Sequence, residues 1–181
     1  MKYIKTDIEG LVIIEPRVFS DSRGYFFESW RAAELDAELG RHIEFVQENE
    51  SASVYGVIRG LHFQKGDMAQ AKLVRVVSGR VLDVALDIRP GSPTFGRYMA
   101  VELSGENHRT LFIPRGFAHG FSVLSEKVVF TYKCDNYYCP EAEGGVAWDD
   151  PSLGIDWGIP ASDAILSDKD RNHPLLRELS L

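Results

Sequence analysis

The sequence predicts an antiparallel β-sandwich or β-barrel formed by one domain. Short segments rich in β-branched and aromatic residues recur along the chain, and glycine, serine, asparagine and proline separate them. Many short strands at such spacing are typical of sandwiches and barrels. The 181 residues, 44% of them hydrophobic, suffice for one ordinary domain and are too few for two typical ones. We therefore expect a single domain over residues 1–181.

Seven segments are the predicted strands. In chain order they are Leu11–Phe19, Val54–Gln64, Lys72–Val77, Arg80–Arg89, Tyr98–Leu103, Thr110–Ile113 and Lys127–Cys134. The turns between them are predicted at Ser20–Gly24, Ser78–Gly79, Pro90–Pro93 and Ser104–Asn107. Ser78–Gly79 indicates a hairpin, because glycine supplies the positive φ that a tight turn needs.

One segment predicts a long helix. Trp30–Leu39 is rich in alanine and glutamate, and Leu35 and Leu39 lie one helical turn apart. Gly40 follows at the position of a C-terminal cap. The part of the chain after Trp148 predicts ordered loops rather than strands.

Charge and composition exclude several classes of function. Twenty lysines and arginines against 27 acidic residues give a net charge of −7, which argues against a general nucleic-acid binder. A few local arginines can still bind an anionic small molecule. No run of roughly 18 apolar residues predicts a membrane helix, and the first residues lack a signal-peptide pattern. We therefore expect a cytoplasmic protein without nucleic-acid or membrane partners.

The five histidines divide into two groups. His42, His108 and His173 lie in polar turns or near the C-terminus, so we expect them at the surface. His62 and His119 lie in or beside strand-like sequence. Each of these two is either a hydrogen-bonded core residue or a member of a site, and the residues leave both open.

Strand parity adds two candidates. Alternation places Tyr132 on the same side as Phe130 and Cys134, and Lys72 on the same side as Val74. Lysine is rarely buried without a partner. An inward Lys72 would therefore need a carboxylate or a ligand, and the alternative is that it reaches solvent from the strand end.

Arg59 and His62 are three residues apart, so a regular strand would direct them to opposite faces. Gly60 between them is suited to a β-bulge. A bulge there would bring both side chains to one side.

A metal-binding site is the main alternative role for His62 and His119. The pattern Pro114-x-Gly116-x-x-His119 resembles the second half of the metal-binding pattern of cupin jelly rolls. The first half should read His-x-His, but here it reads His62-Phe63-Gln64. Two histidines without a third ligand make a poor transition-metal site. Cys134 and Cys139 lack a second cysteine pair, so we expect no metal.

Seven motifs together resemble the deoxysugar-nucleotide epimerase family typified by dTDP-4-dehydrorhamnose 3,5-epimerase. They are Ser22–Glu28, Gln47–Ser51, Arg59–Gln64, Pro114–Phe121, Tyr132–Tyr138, Trp148–Pro151 and Leu166–Asp170. The resemblance runs from about Gly10 to Pro174. Two small departures are Glu48, where aspartate is commoner, and Phe63, where tyrosine is frequent.

The resemblance implies a cupin-type double-stranded β-helix, or jelly roll, with a few short helices. It implies a homodimer that needs no cofactor. The substrate would be dTDP-4-dehydro-6-deoxy-D-glucose, inverted at C3 and C5 for dTDP-L-rhamnose biosynthesis.

The resemblance also assigns roles by position. His62 would accept the proton, Tyr132 would donate one, and Asp170 would be the carboxylate that partners His62. The substrate-contact positions are Arg23, Glu28, Gln47, Asn49, Arg59, Lys72, His119, Glu143 and Lys169, and Tyr138 would stack on thymine. Lys72, or else His119, would take the catalytic role of stabilising the enolate oxygen. Arg23, Arg59 and Lys169 would bind the diphosphate.

Three alternatives stay open. The chain could invert one carbon only or use a related 4-keto sugar nucleotide. It could be a cupin that only binds a sugar nucleotide, or one with a purely structural role. The presence of both acid and base residues argues against these two roles. It could also be a metal-dependent cupin oxygenase or isomerase.

Overall fold

The computed structural model describes residues 1–180 and consists mainly of strands. The strands are β1 Lys2–Lys5, β2 Val12–Glu15, β3 Val18–Asp21, β4 Gly24–Phe27, β5 Gln47–Val54, β6 Ile58–Gln64, β7 Lys72–Ser78, β8 Arg80–Asp87, β9 Tyr98–Ser104, β10 Thr110–Ile113, β11 Phe117–Val123, β12 Lys127–Cys134 and β13 Glu143–Gly145. The α-helices are α1 Ala32–Leu39 and α2 Asp168–Arg171. Short 3₁₀ turns occur at Gly66–Met68, Pro140–Ala142, Ala161–Asp163 and Leu176–Glu178.

The strands form two larger sheets and one separate hairpin. Six strands pair in the order β1-β2-β10-β7-β12-β5, and five pair in the order β13-β6-β11-β8-β9. The hairpin consists of β3 and β4. The pairings between these strands are antiparallel, which confirms the predicted all-β class with short helices. That residues 1–181 form one domain stays a prediction.

The main core joins residues of both larger sheets. Val74 on β7 and Phe130 on β12 belong to the same buried cluster as Ala85 on β8 and Phe121 on β11. Phe121 and Phe130 stack with ring centroids 4.4 Å apart. Burying one such side chain contributes roughly 1.5–3 kcal/mol to stability. The parity that places Phe130 inward also directs Tyr132 toward this interior, as predicted.

A second cluster holds the C-terminal segment against the five-stranded sheet. Ile58 and Leu61 of β6 pack in one cluster with Trp157, and the partly buried Trp148 and Leu166 complete it. The Trp157 indole N–H donates to the Trp148 carbonyl at 2.8 Å. The ordered loops predicted after Trp148 are confirmed, and their docking brings α2 into contact with β6.

The helix α1 covers part of the six-stranded sheet. Leu35 is buried in a cluster with Leu73 and Phe112. The helix ends at Gly40, which has φ of 66° and whose N–H donates to the Asp36 carbonyl. This confirms the predicted cap, although the helix begins at Ala32 rather than Trp30. Neither helix within residues 1–180 has the length and apolar character needed to cross a membrane.

Two predicted strands are wrong as single elements. Leu11–Phe19 is interrupted at Pro16 and Arg17, so its two parts belong to different sheets. Val54–Gln64 is interrupted by a turn at Gly56, which has φ of 84°. The strands β1, β4, β5, β11 and β13 are not among the seven predicted strands. The sequence of β5 is polar, because it is an edge strand that turns only alternate residues inward.

Candidate active site

A cavity of about 420 Å³ is lined by residues of both larger sheets. The strands β5, β7 and β12 contribute from one sheet, and β6, β11 and β13 contribute from the other. The predicted site residues that line it are Gln47, Asn49, Arg59, His62, Lys72, His119, Tyr132, Tyr138 and Glu143. The lining also includes residues without a predicted role, namely Glu50, Ser51, Phe63, Gln64, Gln70, Phe121 and Phe130.

A bulge in β6 brings Arg59 and His62 to this cavity. His62 lies opposite His119 on β11, and Arg59 lies opposite Phe121, so β6 holds one extra residue between the two pairings. Gly60 has φ of 126°, and a Cβ there would lie 2.5 Å from the Cα of Gly120. Only glycine fits such an approach. The predicted bulge is confirmed.

His62 is bonded to Asp170, as the resemblance implied. His62 Nε2 lies 2.5 Å from Asp170 Oδ1, and Ser167 Oγ donates to Oδ2 at 2.7 Å. Burial on its own raises the pKa of Asp170, but the hydrogen bonds from His62 and Ser167 outweigh it and lower the pKa to about 2. An ionised carboxylate only accepts hydrogen bonds. His62 Nε2 is therefore the donor, and Nδ1 keeps its lone pair while the ring is neutral.

His173 lies beside this pair, and its predicted surface position is wrong. Its side chain is only 9% exposed, and Nε2 lies 3.6 Å from Asp170 Oδ1. The ring meets the His62 ring at 76°, with centroids 5.4 Å apart. The sequence interpretation failed because proximity to the C-terminus does not reveal that this segment docks through its hydrophobic residues. His62, Asp170 and His173 place ligand-type atoms within 4.8 Å of one another, so these three could hold a divalent metal.

Tyr132 and Lys72 lie on neighbouring strands of the opposite sheet. Lys72 Nζ is 5.9 Å from the centre of the Tyr132 ring. Burial lowers the pKa of Lys72 and raises the pKa of Tyr132. No carboxylate within residues 1–180 lies within 4 Å of Lys72 Nζ. Of the two alternatives that the sequence leaves open for Lys72, the structure shows the inward one, and the cavity offers it room for a ligand.

His119 forms a second histidine–aspartate pair with Asp83. Its Nε2 lies 2.9 and 3.1 Å from the two oxygens of that carboxylate. Burial lowers the pKa of His119, more than the neighbouring Asp83 raises it. Sequence reasoning missed Asp83. The signal was an acidic residue flanked by apolar residues in the middle of β8, where a carboxylate needs a partner.

Tyr138, Glu143 and Lys169 are linked at the exposed side of the cavity. Tyr138 Oη donates to Glu143 Oε2 at 2.7 Å, and Lys169 Nζ lies 2.5 Å from Glu143 Oε1. The Tyr138 N–H donates to Gln47 Oε1 at 2.9 Å. Tyr138 itself is exposed. These contacts hold an aromatic ring and a lysine beside the opening.

A comparison of the sequence with protein-family models identifies the family. The family model described as dTDP-4-dehydrorhamnose 3,5-epimerase matches residues 5–178. The chain belongs to the dTDP-4-dehydrorhamnose 3,5-epimerase family. It is therefore an epimerase, an enzyme of the isomerase class.

Individual relatives match this chain over almost its full length. The family member from Methanothermobacter thermautotrophicus is 51% identical, covering 98% of this chain and 95% of that one. A crystal structure of the dTDP-4-dehydrorhamnose 3,5-epimerase from Elizabethkingia anophelis is 53% identical, with a TM-score of 0.95 over 98% and 97% of the two chains. The Legionella pneumophila dTDP-6-deoxy-D-glucose-3,5-epimerase, solved with dTDP-4-keto-L-rhamnose, is 49% identical, with a TM-score of 0.94 over 99% and 94%. These similarities confirm the cupin-type jelly roll.

Four of the expected epimerase residues do not line the cavity. Asp170 and Lys169 contact the lining residues His62 and Glu143, whereas Arg23 and Glu28 lie elsewhere. Arg23 is exposed in the β3–β4 hairpin and pairs with Asp21 at 2.5 Å. Glu28 follows the hairpin and pairs with Arg31 at 2.6 Å. The hairpin also exposes aromatic side chains, among them Phe26. Within one chain, the fold does not bring Arg23 and Glu28 together with His62.

Proposed function

We propose that this epimerase converts dTDP-4-dehydro-6-deoxy-D-glucose to dTDP-4-dehydro-L-rhamnose by inverting C3 and C5. The observation that carries the proposal is the bonded His62–Asp170 pair in a cavity shared with Tyr132 and Lys72. The ligand of the Legionella pneumophila relative, dTDP-4-keto-L-rhamnose, supports the substrate class.

His62 acts as the base. Its Nδ1 lone pair takes a proton from the carbon next to the C4 ketone. The C–H electron pair forms a double bond to C4, and the π electrons of the C4 carbonyl move onto its oxygen to give the enolate. Asp170 holds the ring orientation and stabilises the imidazolium that forms, as the aspartate of a hydrolase triad does. Histidine suits this role because it changes protonation near neutral pH.

Tyr132 and Lys72 complete each inversion. Among the described residues 1–180, none forms an ion pair with Lys72, so its ammonium group can stabilise the enolate oxygen. Tyr132 stays protonated at neutral pH because burial raises its pKa, and it delivers a proton to the opposite face of the carbon. The phenolate then regains a proton from water and His62 releases one, which resets both groups for the second carbon.

The nucleotide binds at the exposed side of the cavity. Tyr138 stacks on the thymine ring, and Arg59 and Lys169 bind the diphosphate. The Arg59 guanidinium is already held by its Nε donating to Ser53 Oγ at 3.1 Å. Arginine provides the better geometry for a phosphate, because it can donate two parallel hydrogen bonds.

A homodimer would account for Arg23 and Glu28. The hairpin of one subunit would reach the cavity of the other and supply both residues, burying its exposed aromatic side chains in the interface. Sedimentation equilibrium tests this: a dimer is expected, and a monomer that is fully active contradicts it. The cytoplasmic location stays a prediction from the sequence.

Turnover in deuterated water tests the proposed reaction. The expected product carries deuterium at both C3 and C5, because each inversion replaces one carbon-bound proton with one from solvent. Deuterium at one carbon would instead identify a single-carbon epimerase. Deuterium at neither carbon would contradict an epimerase acting on this sugar nucleotide.

A further inference from the structure

His173 has no part in the reaction proposed above, yet the fold places it against the base. Its Nε2 is buried and has no hydrogen-bond partner within residues 1–180. Burying an unpaired polar atom costs free energy. The strand β13 makes room for the ring, because Gly145 lies opposite His62 and a Cβ on that glycine would overlap the His173 ring.

Two imidazoles face one carboxylate oxygen. Asp170 Oδ1 accepts from His62 Nε2 at 2.5 Å and lies 3.6 Å from His173 Nε2, while Oδ2 accepts from Ser167. An ionised carboxylate oxygen has lone pairs for more than one donor. At 3.6 Å the His173 contact is longer than a hydrogen bond, so a proton on its Nε2 is attracted to Oδ1 electrostatically.

We propose that His173 is a positioning residue for the His62 base. Its ring fixes the plane of the His62 ring through their edge-to-face contact, with centroids 5.4 Å apart. Its Nε2–H attracts Asp170 Oδ1 across 3.6 Å without forming a hydrogen bond. The inference rests on the proposed function, in which His62 is the base. A fixed ring plane keeps His62 Nδ1 directed at the substrate carbon while the proton is transferred.

The charges around His173 fit a neutral donor. The groups that face it are His62 from β6, Lys169 and Asp170 from α2, and Glu143 from β13. Burial lowers the pKa of His173, as do His62 and Lys169, while Asp170 and Glu143 raise it. A neutral ring offers its N–H to Asp170 without adding a second positive charge next to the imidazolium that His62 becomes.

The test compares two substitutions of His173. His173→Phe keeps a ring but removes the N–H, and His173→Gln keeps an amide N–H near the place of Nε2. The matched control is His42→Phe, because His42 also pairs with an aspartate, Asp36 at 2.6 Å, but on the exposed surface. Each variant is assayed by deuterium incorporation into the proposed substrate, with a chelator present because His62, Asp170 and His173 are also a metal-type set.

We expect H173F to lower kcat and to leave KM nearly unchanged. H173F should lose about tenfold in kcat, by analogy with the lower end of what the loss of an orienting partner costs at metal-bound histidines. Its KM should stay within about twofold, since His173 does not bind substrate. H173Q should recover most of the lost kcat, and H42F should match the wild type. Equal losses in H173F and H173Q, or an unchanged kcat in H173F, would overturn the proposal.

A second readout needs no substrate. The His62 Nε2 proton in its short hydrogen bond should give a far-downfield proton NMR resonance in the substrate-free protein. H173F should broaden it through faster exchange with water, and H173Q should retain it. If the wild type proved inactive on the sugar nucleotide, the proposed function would fail while this resonance still tested the contact. A resonance identical in wild type and H173F would contradict the positioning role.

Discussion

The two histidine–aspartate pairs contain the same residue types in different surroundings. His119 and Asp83 are both buried in the five-stranded sheet, and the imidazole contacts both carboxylate oxygens. His62 keeps 29% of its side chain exposed and contacts one oxygen of Asp170. Both histidines line the same cavity.

Burial separates their roles. Burial lowers the pKa of His119 and so favours a neutral ring that serves as a fixed hydrogen-bonding group. His62 is open enough to exchange a proton with substrate and then with water. The pairs also differ in where their aspartates come from. Asp83 lies on β8, the strand next to β11, which carries His119. Asp170 lies on α2, 108 residues after His62 in the sequence. The His62 pair therefore depends on the docked C-terminal segment.

Removing the imidazole of His62 should have the largest effect. His62→Ala should lower kcat by roughly 10³-fold, within the range of a general base. Binding of dTDP, measured by calorimetry, should change little because the nucleotide contacts lie elsewhere. An H62A enzyme with near-wild-type turnover would show that the base is another residue.

Exchanging the two aspartates for asparagine should separate catalysis from stability. Asp170→Asn should lower kcat by about 10²-fold, because an amide can present its N–H to His62 and favour the wrong tautomer. Asp83→Asn should act mainly on folding and lower the free energy of unfolding by about 1–3 kcal/mol, as an unpaired buried group does. Steady-state kinetics and urea denaturation of both variants measure the two effects. The comparison between the pairs fails if D83N loses as much kcat as D170N at equal stability.

Stability should fall in mild acid, which is the smallest expected effect. Burial lowers the pKa of His119 and of His173 in the folded state, so the unfolded chain binds more protons as the pH drops below about 6.5. The stability that the two neutral rings contribute is fully present above about pH 6.5. It is lost as the pH falls toward the lower pKa values that these histidines have in the folded protein. Urea denaturation between pH 8 and 5 should show this decline, and His119→Gln should flatten it. A slope that H119Q leaves unchanged would assign the decline to other groups.

The candidate site was predictable where the signal is local. Strand parity indicated the inward Tyr132 and placed Lys72 on the same side as Val74, although it left open whether Lys72 reaches solvent. The glycine between Arg59 and His62 indicated the bulge that brings those two together. Such features depend on neighbours a few residues away, and the sequence displays them.

The rest of the site depends on contacts that are distant along the chain. Asp170 was assigned only through the family resemblance, because nothing near it in sequence points to His62. His173 was placed at the surface for the same reason. Asp83 was missed because its partner lies on another strand. The edge strand β5 was missed because Val54 is its only β-branched residue.

The exchange of carbon-bound protons with solvent, measured separately from inversion, tests the central claim most directly. Wild type, H62A and Tyr132→Phe are incubated with the proposed substrate in deuterated water, and NMR follows C3 and C5. If His62 is the base and Tyr132 the acid on the opposite face, H62A should show neither exchange nor inversion, while Y132F should keep part of the exchange and lose net inversion. Exchange at C3 and C5 by H62A at the wild-type rate would contradict the account.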